Sequence, residues 1–404
     1  MNNGFEFKIR THDQKSKARV GEIKTSHGII KTPAFIPVGT KGTIKGMTIP
    51  QLKEIGVQSF FVNTYHLFLQ PGPQTIEKLG GLHKFIGWDK PLMTDSGGFQ
   101  VFSQAKNKNF GGFKSRVGEE ETLCKINDEG VTFKSFKDGT THRFTPEKSI
   151  QIQKKLGADI ILSFDECTYY PATHEYAKKA MERTHRWAEK CLKENSKLKT
   201  QSSKLKIKDI QTLYGIVQGS VFEDLRKESS KFIGNLPFEG IAIGGVSVGE
   251  SKKEMVNVLD WVVPLLPNHK PRHLLGVGEI DDIFEVVERG IDSFDCVMPT
   301  RLGRMGHLLI KNEKLKMKND RFTIDITKAI YRDDRDPIEK ECRCYTCQNY
   351  SRAYLNHLFR ANELLAYTLA SYHNLWFLER LMEEIRESIL EGKFLELKKR
   401  WMKK

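Results

Sequence analysis

Long apolar runs are missing from this 404-residue chain. No stretch reaches the ~18 consecutive apolar residues that a membrane-crossing helix needs, so a helical membrane protein is excluded. The start, Met1-Asn-Asn-Gly-Phe-Glu-Phe-Lys8, has no apolar core of a secretion signal, and a soluble, cytoplasmic protein is expected. Acid is in deficit: 51 Asp and Glu stand against 65 Lys and Arg, a net charge of +14. Such an excess favours a polyanionic partner over an acidic one. Cysteine is scarce, and three of the seven lie within Cys342–Cys347. Thiols that close together do not make an ordinary disulfide framework, and in this context a metal suits them better. Disorder is excluded by 39% hydrophobic and 10% aromatic residues, including 24 Phe, which are ample for a large core.

What is present is a rhythm. Short apolar, β-prone runs begin near residues 33, 58, 91, 159, 212, 240, 273 and 290, and helical patterns lie between most of them. Eight such units predict an α/β fold of the TIM type, a (β/α)8 barrel whose chemistry sits on the loops after the strands. Polar and glycine residues follow nearly every run: Asn63, Asp95, Asp165, Gln218, Gly245, Gly276 and Asp295. A purely structural reading does not explain that concentration at one end. Between Phe110 and Phe144 the pattern becomes alternating and turn-rich (Asp128-Glu-Gly130, Asp138-Gly139), which predicts an inserted β-hairpin excursion. Thr145-Pro146 then suits a helix cap and first turn. Leu192 to Lys208, rich in Lys and Ser, reads as a solvated surface extension. Near the C-terminus, two amphipathic helices are expected, one through Leu355, Leu358, Leu365 and Leu369 with His373 beyond, the other from Leu378 to Ile389.

Several local groups carry possible chemistry. The series Cys342-x-Cys344-x-x-Cys347 can converge on one tetrahedral ion, and His357 and His373 are both available as the fourth ligand. Four protein ligands leave no open position, so such a zinc would be structural. Asp95 lies in Thr-Asp-Ser-Gly-Gly-Phe, where the glycines let backbone approach a ligand; taken singly, an Asx-turn serves equally well. Asp165 with Gln218 offers the acceptor and donor groups that a purine edge requires, or simply two satisfied polar groups at a barrel rim. Gly290-Ile-Asp-Ser-Phe-Asp-Cys-Val-Met-Pro-Thr-Arg-Leu-Gly-Arg304 delivers carboxylates to a strand end, followed by Pro299 and a Gly-containing loop with two arginines. Two carboxylates after different strands of one barrel, Asp95 and Asp295, suit glycosyl transfer. One attacks an anomeric carbon while the other moves protons.

From about Phe5 onward the chain resembles the bacterial tRNA-guanine transglycosylases, also called queuine tRNA-ribosyltransferases. The resemblance rests on Val62-Asn-Thr-Tyr-His-Leu67, Thr94-Asp-Ser-Gly-Gly-Phe-Gln-Val-Phe-Ser103, Phe164-Asp-Glu-Cys167 and Gly215-Ile-Val-Gln-Gly-Ser220. It continues through Gly244-Gly-Val-Ser-Val-Gly-Glu250, Leu275-Gly-Val-Gly278 and Phe294-Asp-Cys-Val-Met-Pro-Thr-Arg301, and ends in the cysteine series with its distant histidine. It implies one TIM-barrel catalytic domain over residues 1–404, with a zinc-binding subdomain and closing helices over 306–390. The implied reaction replaces guanine at the wobble position of tRNAs with a GUN anticodon by preQ1 (7-aminomethyl-7-deazaguanine), through a covalent aspartyl-ribosyl intermediate. By position, Asp295 is then the nucleophile and Asp95 the general acid/base. Asp95, Ser96, Phe99, Asp165, Gln218, Gly245, Val246 and Leu275 would bind the base, and Arg301 and Arg304 the tRNA. Cys342, Cys344, Cys347 and His373 would hold one structural Zn2+ per subunit, and a homodimer is implied. Asp292 is left as a structural carboxylate. Val246-Ser247 departs from the family's usual Leu-Ala, Leu302 and Met305 stand where polar residues are common, and the bulky Val248 matches preQ1-using members. A queuine-salvaging enzyme and a non-catalytic tRNA-binding paralogue are the competing readings.

Overall fold

The computed structural model describes residues 4–99, 124–204, 211–311 and 322–402. Positions 100–103 of the Thr94–Ser103 motif and 205–208 of the Lys-rich stretch lie outside the described residues.

All eight expected runs become parallel strands of one sheet: Ala34–Pro37, Phe60–Val62, Leu92–Thr94, Ile160–Leu162, Thr212–Val217, Gly240–Ile243, Arg272–Leu275 and Ser293–Cys296. Each pairs with its sequence neighbour, and the eighth returns to the first, with Asp295 opposite Ile36. The first and second strands meet through a bridge from Val38 to Phe61 and a 2.7 Å hydrogen bond from Gly39 N to Phe61 O. A barrel is the result. Every residue of Thr212–Val217 is buried, because a strand with barrel interior on one side and helices on the other has no solvent face.

The barrel interior is filled by Ala34, Ile36, Phe61, Met93, Ile160, Leu162, Tyr214, Ile216 and Ala242. Ile23 and Ile30 join the same cluster from an antiparallel sheet formed by Glu6–His12, Arg19–Thr25 and Gly28–Thr32. That sheet plugs the N-terminal end of the barrel, so the open mouth is at the C-terminal ends of the strands. Asp292 belongs to the closed end: fully buried, it receives Arg19 Nε at 2.8 Å, Arg19 Nη2 at 2.6 Å and Arg272 N at 2.7 Å. It is a structural carboxylate, as expected.

The excursion appears as a three-stranded antiparallel sheet, Cys124–Asn127, Gly130–Lys134 and Thr141–Phe144. Its hairpin is tethered through Asp128, which receives Arg186 Nη2 at 2.9 Å and Arg183 Nε at 3.1 Å. Thr145 caps the helix Pro146–Leu156 by accepting from Lys148 N.

Three expectations need correction. The Lys-rich stretch from Leu192 is no separate extension as far as Lys204, because it completes the helix His174–Lys204. Glu194 and Asn195 are buried there, and Lys199 bonds Glu239. The C-terminal helices divide elsewhere: Arg352–Arg360 ends at Asn362, whose φ of 57° breaks it, and one helix then runs from Leu364 to Leu390. Leu365 faces solvent on it instead of the core. The arginines after the eighth strand lie on a short helix, Met298–Arg304, and not on a loop. Pro299 fits its first turn. Gly303 is a contact glycine, since a Cβ there would lie 2.9 Å from Ser371 N on the long helix.

The helix Leu364–Leu390 packs on Met298–Arg304, on Ile49–Ile55 and on the first barrel strand. It thus covers the outside of the barrel where the eighth helix belongs. Arg380 Nη2 reaches Ile55 O at 3.1 Å and Arg386 Nη1 reaches Pro33 O at 2.8 Å. Among the described residues no helix is long and apolar enough to cross a membrane.

Candidate active site and metal centre

At the mouth, the loops after the third, fourth, fifth and sixth strands meet around one buried carboxylate. Asp165 accepts from Ser96 Oγ at 3.1 Å and from Gln218 Nε2 at 2.7 Å. All three side chains are buried. Burial pushes the Asp165 carboxyl up to about 6; the bonds from Gln218 and Ser96 oppose that rise and the nearby Asp95 charge adds to it. Gln218 Oε1 is buried with no hydrogen-bond partner among the described residues. Gly245 closes over it: at φ 66°, a Cβ there would fall 2.4 Å from Gln218 Oε1. Val246 beside it is buried.

A fully buried guanidinium holds this arrangement. Arg226 donates Nη1 to Gly244 O at 2.8 Å, Nη2 to Gly245 O at 3.0 Å and Nε to Ser220 O at 2.6 Å. Its partners are carbonyls, and burial lowers it to about 10. The loops after the fifth and sixth strands are thereby fixed to each other.

Asp95, after the third strand, is turned toward the loop after the second. Its carboxylate receives Asn63 Nδ2, Thr64 N at 2.7 Å and Gly97 N at 3.2 Å. Asp295, after the eighth strand, lies opposite Leu275 in register and accepts from His273 Nε2 at 3.1 Å. The structure therefore gathers Ser96, Asp165, Gln218 and Gly245 into one cluster and sets Asp295 in a second, with Asp95 tied to Asn63 and Thr64. Phe99, expected in the pocket, is 43% exposed.

Cations rim the same mouth. Arg301 is exposed, and Arg304 is half-buried with no partner for Nη1 among the described residues. Burial and the neighbouring Arg301 lower the Arg304 guanidinium. Lys45 is likewise lowered by burial and by the charges of Arg304, Lys41 and Arg301. His66 is pushed down to about 4 by burial and by Lys41 and Lys45. Lys41, Lys45, Arg301 and Arg304 thus lie close enough together to concentrate positive potential on this side of the mouth. Lys41 and Lys45 are absent from the sequence expectations, although their position in Thr40-Lys-Gly-Thr-Ile-Lys-Gly46, just after the first strand, is the signal that points to them.

The cysteine series folds around His373. Cys344 Sγ and Cys347 Sγ lie 3.4 Å from His373 Nδ1, and Cys342 Sγ lies 3.8 Å away. A tetrahedral zinc puts its sulfur and nitrogen ligands about 3.6 Å apart, so the four fit one ion. His373 Nε2 is 2.7 Å from Leu309 O, which makes it the N–H donor and leaves the Nδ1 lone pair aimed at the thiols. His357 is not part of the group; its ring neighbours Tyr354. The adjacent Asn374, fully buried, donates to Pro299 O and His307 O at 2.9 Å. The cysteine–histidine cluster and the arginine helix thus share one support.

A third cluster, His27, His83 and Asp159, lies at the closed end. Its imidazoles are stacked 3.6 Å apart at 19°. In-plane lone pairs of stacked rings run side by side, so this geometry suits hydrogen bonds to Asp159 better than a shared ion.

A parallel barrel that presents two strand-end acids and a buried carboxylate–amide pair at a cation-rimmed mouth is built as a glycosyl-transferring enzyme with a polyanionic substrate. The family model described as queuine tRNA-ribosyltransferase matches residues 13–404. Similar proteins include the queuine tRNA-ribosyltransferases of Roseiflexus sp. (strain RS-1), 48% identical over 98% of each chain, and Thermoanaerobacter sp. (strain X514), 47% identical over 99% of this chain and 97% of its own. That of Halothermothrix orenii is 45% identical over 99% and 98%. The chain belongs to the queuine tRNA-ribosyltransferase, or tRNA-guanine transglycosylase, family of pentosyltransferases.

Proposed function

We propose that the protein exchanges guanine at the wobble position of GUN tRNAs for preQ1, by two displacements on ribose C1′. The observation that carries this reading is the buried Ser96–Asp165–Gln218 cluster at the same barrel mouth as Asp295. Ionised Asp165 can accept the ring N–H and exocyclic amine of a guanine-type base, while Gln218 Nε2 can turn from Asp165 to the base's carbonyl oxygen. A base can reach such a pocket only after leaving the anticodon stack. The cations Lys41, Lys45, Arg301 and Arg304 suit the flanking phosphates. Asp295 attacks C1′ and holds the tRNA as an ester, and Asp95 protonates the departing guanine and later deprotonates the incoming base. In this mechanism Asp95 exchanges its bonds to Asn63 and Thr64 for the base. The bulk of Val248 supports preQ1 over queuine.

Cys342, Cys344, Cys347 and His373 hold Zn2+ in this reading, and the ion pins the inserted segment without entering the chemistry. Residues 1–404 act as one cytoplasmic catalytic unit, with 306–390 as its zinc-bearing part. The exposed aromatic rings Tyr345 and Tyr354 beside the metal support a homodimer contact there.

The test incubates the zinc-loaded protein with unmodified GUN tRNA and labelled guanine. Label should enter the tRNA, preQ1 should chase it out, and Asp295→Asn should abolish both. Folded wild-type protein that binds tRNA without exchange would overturn the reading in favour of a non-catalytic paralogue.

A further inference from the structure

We propose that His273 is a positioning residue that selects which oxygen of Asp295 reacts and steadies the carboxylate in both half-reactions. This rests on Asp295 being the nucleophile.

His273 sits on the seventh strand, is fully buried, and pairs in register with Ser293 on the eighth. Its ring lies nearly parallel to Phe61, with centroids 5.8 Å apart at 13°, which fixes its plane. Nδ1 is 2.9 Å from Ser293 Oγ and Nε2 is 3.1 Å from Asp295 Oδ1. A carboxylate can only accept, whereas a serine hydroxyl can donate or accept. A neutral imidazole can satisfy both neighbours in one way. Ser293 donates to Nδ1, and Nε2–H donates to Oδ1. Ser293 thereby sets the tautomer, and the imidazole sets the carboxylate.

The consequence concerns the other oxygen. Among the described residues no protein group donates to Asp295 Oδ2, and the geometry points to it as the attacking atom. An Oδ2 lone pair forms the bond to C1′ as the C1′–N9 bond breaks, and that pair leaves with the base, which takes its proton from Asp95. Oδ1 becomes the ester carbonyl oxygen and still accepts from Nε2–H. In the second half the incoming base attacks C1′, and the C1′–Oδ2 pair returns to the carboxylate. The charge regained on Oδ1 meets the same N–H, already in place. His273 need not change its protonation in either step.

The experiment compares His273→Gln, His273→Asn and His273→Phe with wild type and Asp295→Asn, by steady-state guanine exchange and single-turnover formation and discharge of the tRNA adduct. A Gln amide nitrogen stands near the place of Nε2, and an Asn amide near that of Nδ1. The Phe and Asn variants should lose roughly 10- to 100-fold in kcat, the worth of one hydrogen bond to a charged group. KM for tRNA should stay unchanged, and both formation and discharge should slow. The Gln variant should recover most of the rate. Wild-type kcat in folded Phe or Asn variants, or equal losses in Gln and Asn, overturns the proposal. If the Phe variant fails to fold, the Gln–Asn pair decides. Exchange surviving in Asp295→Asn overturns the nucleophile reading itself, whatever the His273 variants do.

Discussion

Asp165→Asn should make the protein more stable at pH 8 and much less able to bind base. The wild-type carboxyl is buried and lifted from an ordinary 3.8 to about 6. The folded state therefore binds its proton more tightly than the unfolded chain does. Between those two values the native protein holds more protons, so stability falls as pH rises through the interval, and the loss is complete above about 6. At ~1.4 kcal/mol per pH unit the loss is on the order of 3 kcal/mol. An Asn carries no charge to desolvate, accepts from Ser96, and can donate to Gln218 Oε1, which has no partner among the described residues of the wild type. Urea unfolding of both proteins at pH 4 and pH 8 reads the difference directly. The variant's advantage should be larger at pH 8 than at pH 4 by ~2–3 kcal/mol. In parallel, wild-type base binding should rise with pH through about 6, as Asp165 ionises and becomes an acceptor for two N–H groups. The variant should bind weakly at every pH. A variant whose relative stability does not depend on pH would refute the reasoning, because the carboxylate would then be solvated or paired in the folded state.

Three further outcomes follow from the mouth and its support. Arg301→Ala and Arg304→Ala should each weaken tRNA binding and reduce the slope of log K against log salt by about one, with base binding unchanged; filter binding at several salt concentrations checks this. Gly303→Ala should cost ~1–3 kcal/mol and weaken tRNA binding, since the new Cβ would push the arginine helix away from Ser371, 2.9 Å distant; denaturant titration and tRNA affinity are the two readouts. Removing the metal with a chelator, or substituting Cys344→Ser, should lower Tm and weaken tRNA binding while base binding to the barrel persists. The coupling runs through His373 and Asn374, which hold Leu309, His307 and Pro299 together.

What was legible in the chain, and what was not, divides along one physical line. Barrel strands such as Thr212–Val217 are short buried runs closed by a polar residue, and that pattern is local. Asp165, Gln218 and Gly245 end their strands and are legible for the same reason. The N-terminal sheet escapes that search although Phe5, Phe7 and Ile9 alternate at period two, because its first strand is largely half-exposed. Gly303 reads as a loop glycine until the long helix is seen against it, and a contact between residues 303 and 371 has no local signature. His273 is the sharpest case. Inside His273-Leu-Leu275 it passes for a satisfied core histidine. Its meaning comes from strand register, which sets it between Ser293 and Asp295. Residue types at strand ends say which chemistry is available. The pairing of neighbouring strands says which oxygen of Asp295 meets His273, and that pairing is fixed by closure of the whole barrel.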